Sequence, residues 1–227
     1  MQLYIGNKNY SSWSLRPWLL MKHAGIGFEE VRLRLELGEG SEFQRRLARV
    51  APVARVPVLV DGDFAVWDSL AIAEYLAERF PEQGLWPAER HRRARARSVC
   101  AEMHSGFAAL RTHFPMNVEL EMPEVGPRVL AERPEVARDL ARIVSMWTGL
   151  LAQHDGPFLF GDFCIADAYY APVCSRLRSY GVPLPEAAAA YVARIHELPA
   201  MRQWCAEARE EHDFIADDEP YRSAPAR

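Results

Sequence analysis

The sequence predicts a mixed α/β domain over residues 1–80 followed by an all-α domain over residues 88–212. Three observations predict it. Strand-like and helix-like segments alternate through the first third of the chain. The run Phe-Pro-Glu-Gln-Gly-Leu-Trp-Pro, with two prolines and a glycine, then breaks the pattern, so residues 81–87 are read as a linker. Beyond it, only helical periodicity is found. With 227 residues, 49% apolar and 26% charged, the chain can build one large or two small cores and does not have the composition of a disordered protein.

The elements follow in order. Gln2–Ile5 is a short apolar strand leading into a polar turn at residues 6–10. Residues 13–24 carry Leu15, Trp18, Leu19 and His23 at helical spacing, and Gly25 and Gly27 stop the helix. Residues 28–35 alternate charged positions with Val31, Leu33 and Leu35, as in a half-buried strand. A short helix at 42–50 precedes two strands, 56–60 and 63–66, that flank the hairpin signal Asp61-Gly62. Asp68-Ser69 opens an amphipathic helix over 70–79, with Leu70, Ala73, Leu76 and Ala77 on its apolar face. In the second domain, residues 89–113 read as one long helix. Residues 133–154 form another, striped by Val136, Leu140, Ile143, Trp147 and Leu150, and helices at 167–180, 186–197 and 200–209 follow. Residues 213–227, polar with two prolines, read as a loose C-terminal tail.

Several function classes are disfavoured. A net charge of -4 argues against a dedicated nucleic-acid binder, and the arginine-rich run at 90–97 reads as a solvated or subunit-interface helix face. No apolar run is long enough to span a membrane, and the N-terminus lacks a secretory pattern, so a cytoplasmic location is expected. Cys100, Cys164, Cys174 and Cys205 have no C-x-x-C spacing, and the seven histidines form no compact ligand pattern, so no metal is expected.

Three clusters carry chemistry. Tyr10-Ser11-Ser12-Trp13-Ser14-Leu15-Arg16 places serines at a helix start, where hydroxyls cap the helix or, with free N–H groups and the helix dipole, stabilise an anion such as a thiolate. That argument does not separate Ser11, Ser12 and Ser14. Arg55-Val56-Pro57 opens a strand; a cis bond there frees the Val56 backbone to pair with a peptide ligand. Asp68-Ser69 offers a carboxylate to an ammonium group, and a hydroxyl and N–H groups to a carboxylate: the two ends of an α-amino acid.

In this order and spacing the clusters resemble the glutathione S-transferase family over roughly residues 2–210. The resemblance implies a thioredoxin-like N-terminal domain, a helical second domain, and glutathione as co-substrate with no metal. It makes Ser11, five residues before Arg16, the catalytic hydroxyl. It makes Val56 before a cis Pro57 the partner of the cysteinyl unit, with Arg55 at the same edge, and Asp68-Ser69 the grip on the γ-glutamyl group. The segment around Cys164 and Asp167 resembles the family's buried capping box, with a thiol in place of the usual hydroxyl. The acceptor pocket is placed at Tyr10, Trp13, Met103, His104, Phe107 and Arg111, with plain core packing as the competing reading for Met103 and Phe107.

The serine run is similar to the zeta class. That class's cysteine is Trp13 here, its asparagine is Ala51, and its substrate arginine twelve residues after Asp167 is Ser179; Arg176 and Arg178 nearby read as solvated helix residues. Cysteine-type chemistry lacks its nucleophile, because no cysteine precedes Cys100. The resemblance therefore implies a homodimeric transferase that joins glutathione to a small electrophile. The alternatives are a glutathione-dependent maleyl isomerase and a non-enzymatic glutathione-binding or stress-response protein.

Overall fold

The computed structural model describes residues 1–36 and 38–222. In the N-terminal domain, β1 (Gln2–Ile5), α1 (Ser12–His23), β2 (Glu29–Arg32), α2 (Glu42–Leu47), β3 (Val58–Asp61), β4 (Phe64–Trp67) and α3 (Ser69–Arg79) follow one another. The sheet order is β2-β1-β3-β4. β1 and β2 are parallel, a pairing that needs the crossover α1 supplies, whereas β3 runs antiparallel to β1 and β4. A two-residue loop joins β3 to β4, with Gly62 at φ 64°, a conformation glycine adopts without strain. β2 is shorter than the alternation over 28–35 predicts, although Leu33 remains buried.

Alternation along the strands gives each sheet face its own helices. Leu3, Ile5 and Leu59 join the main core with α1 and α3, while Tyr4, Val58 and Val60 pack with Phe43 and Leu47 of α2.

The helical domain comprises α4 (Arg90–Ser105), α5 (Ala108–His113), α6 (Val125–Glu132), α7 (Pro134–Gln153), α8 (Ile165–Ser179), α9 (Glu186–Glu197) and α10 (Pro199–Arg209). Every residue of α8 except Arg178 is buried, and α8 packs on α1, α4 and α9. One apolar core therefore runs through both domains.

Three expectations are corrected. The single helix over 89–113 is two helices: Gly106 is extended and Phe107 sits at φ 55°, a left-handed turn that brings the Leu110 N–H to the Asp139 carboxylate of α7 at 3.0 Å. The sequence reading has no helix at Val125–Glu132, where Gly126 and Pro127 lie in the first turn of α6. The loose tail is instead bonded to the N-terminal domain through Asp213 and Glu219 and to the helical domain through Tyr221 and Arg222; its last five positions, 223–227, lie outside the described residues.

The capping box that the family resemblance implies forms at the start of α8. The Asp167 carboxylate accepts from the Cys164 N–H (2.9 Å), the Leu159 N–H (3.1 Å) and the Tyr191 hydroxyl (3.0 Å). Burial pushes Asp167 up to about 6 and the Cys164 thiol up as well, so Cys164 is a packed structural group and not a nucleophile.

Candidate active site

A cavity of about 650 Å³ lies between the two domains, and all three sequence clusters reach it. Tyr10, Ser11, Ser12 and Trp13 come from the start of α1, Arg55, Val56 and Pro57 from the approach to β3, and Asp68 and Ser69 from the start of α3. His104, Arg111, Pro115, Met116 and Arg176 come from the helical domain, and Asp218 from the C-terminal segment. Met103 and Phe107 do not line it: both are buried in the helical core, as their periodicity also allowed.

The four hydroxyls of the first cluster now have different environments. Ser11 is the N-cap residue of α1, but its hydroxyl donates to Ser14 Oγ at 2.7 Å instead of capping. Ser14 Oγ also accepts from the Gly6 N–H at 3.2 Å and is fully buried, away from the cavity wall. The Tyr10 hydroxyl lies 2.7 Å from the Glu219 carboxylate and 3.0 Å from the Asp213 carbonyl oxygen. Burial and that carboxylate raise its pKa, so the phenol stays neutral and occupied. Ser12 Oγ accepts from Arg176 Nη2 at 3.0 Å. Ser11 and Ser12 are thus the serine hydroxyls of this cluster at the cavity, both at the positive end of the α1 dipole.

The second cluster has the cis bond that the family resemblance implies. The Val56-Pro57 bond is cis, and the Val56 backbone makes no hydrogen bond to another described residue. Asp68 caps α3 by accepting from the Leu70 N–H at 2.8 Å, and its other oxygen lies 3.3 Å from His104 Nε2. Asp68 adopts φ 73°, a backbone conformation that carries strain for a non-glycine residue and aims its side chain across the domain boundary. Ser69 Oγ is buried, 3.0 Å from the Tyr169 hydroxyl and 3.5 Å from Arg16 Nη1.

Sequence reasoning missed two parts of the site. Arg176 is no solvated residue. Only 5% of its surface is exposed, Nη1 donates to the carbonyl oxygens of Arg111 (3.2 Å) and Phe114, and burial lowers its pKa to about 9. Its position was legible in one respect: Tyr169, Val173, Arg176 and Tyr180 recur at buried-stripe spacing along the α8 segment. The second missed part is the C-terminal segment. The Glu211 carboxylate accepts from the backbone N–H groups of Lys8 (2.7 Å) and Asn9 (3.2 Å) and pairs with Arg32 (3.1 Å). Asp213 meets Asn7 and Arg34, and the Tyr221 hydroxyl donates to the His113 carbonyl oxygen. These contacts fix the loop that presents Tyr10 and Ser11.

Comparison with known proteins agrees with this geometry. The N-terminal domain model of glutathione S-transferases matches residues 10–79, and the C-terminal domain model matches residues 130–207. A zeta-class glutathione S-transferase from Euphorbia esula is 30% identical over 165 residues, covering 71% of this chain and 70% of that protein. The chain belongs to the glutathione S-transferase superfamily. A probable maleylacetoacetate isomerase from Caenorhabditis elegans is 28% identical, covering 80% of this chain and 81% of the relative. Among solved structures, a Burkholderia BGR1 glutathione transferase homologue with bound glutathione superposes with a TM-score of 0.68 at 28% identity, covering 92% of this chain and 97% of that one. In this superfamily member, a mixed β/α domain and an all-helical domain enclose the cavity between them.

Proposed function

We propose that the chain is a glutathione S-transferase in which glutathione lies along the N-terminal wall of the cavity and a small electrophile lies toward the helical domain. One observation carries the reading: Ser11, the unpaired Val56 backbone, and Asp68-Ser69 line a single cavity. Ser69 and the first-turn N–H groups of α3 receive the γ-glutamyl carboxylate, and Asp68 the ammonium. Val56 pairs with the cysteinyl backbone. The sulfur then falls at the start of α1, where the Ser11 hydroxyl turns from Ser14 to donate to the thiolate.

No proton-abstracting base is required. Each unit by which the site lowers the thiol pKa is worth about 1.4 kcal/mol in favour of the anion, and the anion so held attacks the electrophilic carbon by position and electrostatics. Isothermal titration calorimetry tests the binding mode. Ser69→Ala is expected to weaken glutathione roughly 10- to 100-fold, the effect of losing a hydrogen bond to a charged group. No glutathione binding to the unmodified protein at millimolar ligand contradicts the reading.

A second reading, glutathione-dependent isomerisation of a maleyl compound, is favoured by the buried Arg176 beside Ser12, but Trp13 and Ser179 stand where the zeta pattern has a cysteine and an arginine. Comparing turnover of a maleyl substrate with that of a generic aryl halide separates transferase, isomerase and inactive binder.

A further inference from the structure

A second cavity, of about 780 Å³, lies among α8, α9, α10 and the segment that precedes α6, and it shares no lining residue with the first. That volume falls within the range of small-molecule sites. α8 separates the two cavities: Arg176 lines the first, whereas Ser175 and Arg178 line the second.

Two polar atoms at this second cavity are buried without a partner. Ser175 is 2% exposed, and its hydroxyl makes no hydrogen bond. His196 Nε2 is the other. The Cys174 carbonyl engages the imidazole as a donor, and since Nε2 has no partner that donor is Nδ1–H. Burial, with the nearby Arg178 and Arg209, lowers His196 to about 4, so at neutral pH Nε2 holds a lone pair and not a proton.

The charge around these atoms is positive. Arg178 of α8 and Arg209 of α10 converge, because the field of each reaches both His196 and Cys205. Arg209 Nη1 donates to the Cys205 carbonyl oxygen at 3.4 Å, and among the described residues neither guanidinium forms an ion pair. Arg202, Glu121 and Glu197 complete the charged groups of the wall, so cations exceed carboxylates by three to two.

We infer that this cavity is a phosphate site, taking free phosphate or a phosphate monoester, in which Arg178, Arg209 and Ser175 donate to the unprotonated oxygens and His196 Nε2 accepts from the P–OH. Guanidinium groups suit phosphate oxygens through charge-assisted bonds. The lone pair on His196 selects among anions. An ionised carboxylate or a sulfate monoester has no hydrogen to give it, whereas a phosphate monoester, with a second pKa of about 6, carries one over the neutral-to-acid range. Val118, Leu120 and Val192 offer apolar surface to the organic body of a monoester. None of these residues belongs to the proposed glutathione site, so the inference stands apart from the transferase reading.

The test is calorimetric titration at pH 6 with phenyl phosphate and with phenyl sulfate, two esters of similar shape that differ in the acidic hydrogen. The unmodified protein is expected to bind phenyl phosphate at least about tenfold more tightly than phenyl sulfate, the effect of one hydrogen bond to a charged group. Arg178→Gln and Arg209→Gln, both at exposed positions, are each expected to weaken phenyl phosphate about tenfold, and exposed Arg95→Gln on α4 to leave it unchanged. His196→Leu is expected to bring the two esters within about twofold of each other. Inorganic phosphate is the third arm: binding equal to that of phenyl phosphate assigns the site to free phosphate, and weaker binding assigns it to a monoester. No saturable binding of either phosphate, equal binding of the two phenyl esters, or binding that is lost in Arg111→Gln and kept in Arg178→Gln overturns the site.

Discussion

At the scale of single residues, buried Asp167 and half-buried His196 pull stability in opposite directions with pH. Asp167 rises from an ordinary carboxylate value to about 6, so the native state holds a proton the unfolded chain has lost. Its contribution is fully present below pH 4 and is lost as pH climbs through 6. His196 is depressed to about 4, so its contribution is present above 6.5 and lost as pH falls toward 4. Each shift corresponds to about 3 kcal/mol, and the two nearly offset. Relative to the unmodified protein, Asp167→Asn is expected to lose stability on acidification from pH 6.5 to 4. His196→Gln is expected to gain stability on acidification from pH 6 to 4. Urea unfolding across that range checks both signs. Asp167 was legible only through the family resemblance, since Cys164 stands where a capping box ordinarily has Ser or Thr. Arg176 was not, because a charged helix residue reads as solvated until the fold shows that α8 is covered at every position but Arg178.

At the scale of elements, the loops decide more than the helices. The approach of α6 to the turn after α8 depends on Gly126: a Cβ there falls 2.3 Å from the Tyr180 carbonyl oxygen. Gly126→Ala is expected to cost about 2 kcal/mol. Gly149→Ala, in the interior of α7 with no atom near the added methyl, is expected to stabilise by about 0.5–1 kcal/mol. Thermal unfolding of the pair reads the opposite signs.

The C-terminal strap makes a similar claim. Glu211→Ala leaves the Lys8 and Asn9 amides without their carboxylate and is expected to lose about 2 kcal/mol, against less than about 0.5 for exposed Glu210→Ala. Periodicity located the α7, α9 and α10 segments well because each carries its own stripe, while α8 is buried at every position but Arg178. It merged α4 with α5 because the left-handed turn at Phe107 has no sequence cue beyond one glycine. It missed the strap because side-chain bonds to a distant loop leave no periodic trace.

At the scale of the whole molecule, the division into an α/β and a helical domain was readable from composition and order alone, while the continuity of the core across α1 and α8 was not, since it depends on packing between distant segments. We propose a homodimer, in which Phe64 and Trp67 of edge strand β4, 58% and 41% exposed, are covered by a second copy. Analytical ultracentrifugation of Phe64→Asp is expected to show a shift toward monomer. The central claim is thiolate stabilisation by Ser11 at the start of α1, and ultraviolet titration of enzyme-bound glutathione across pH tests it most directly. Ser11→Ala is expected to raise the bound thiol's pKa by roughly 1–2 units, the equivalent of one lost charge-assisted hydrogen bond, with a smaller change for Ser12→Ala. An unchanged titration for Ser11→Ala alongside a clear shift for Ser12→Ala contradicts the account and moves the role to Ser12.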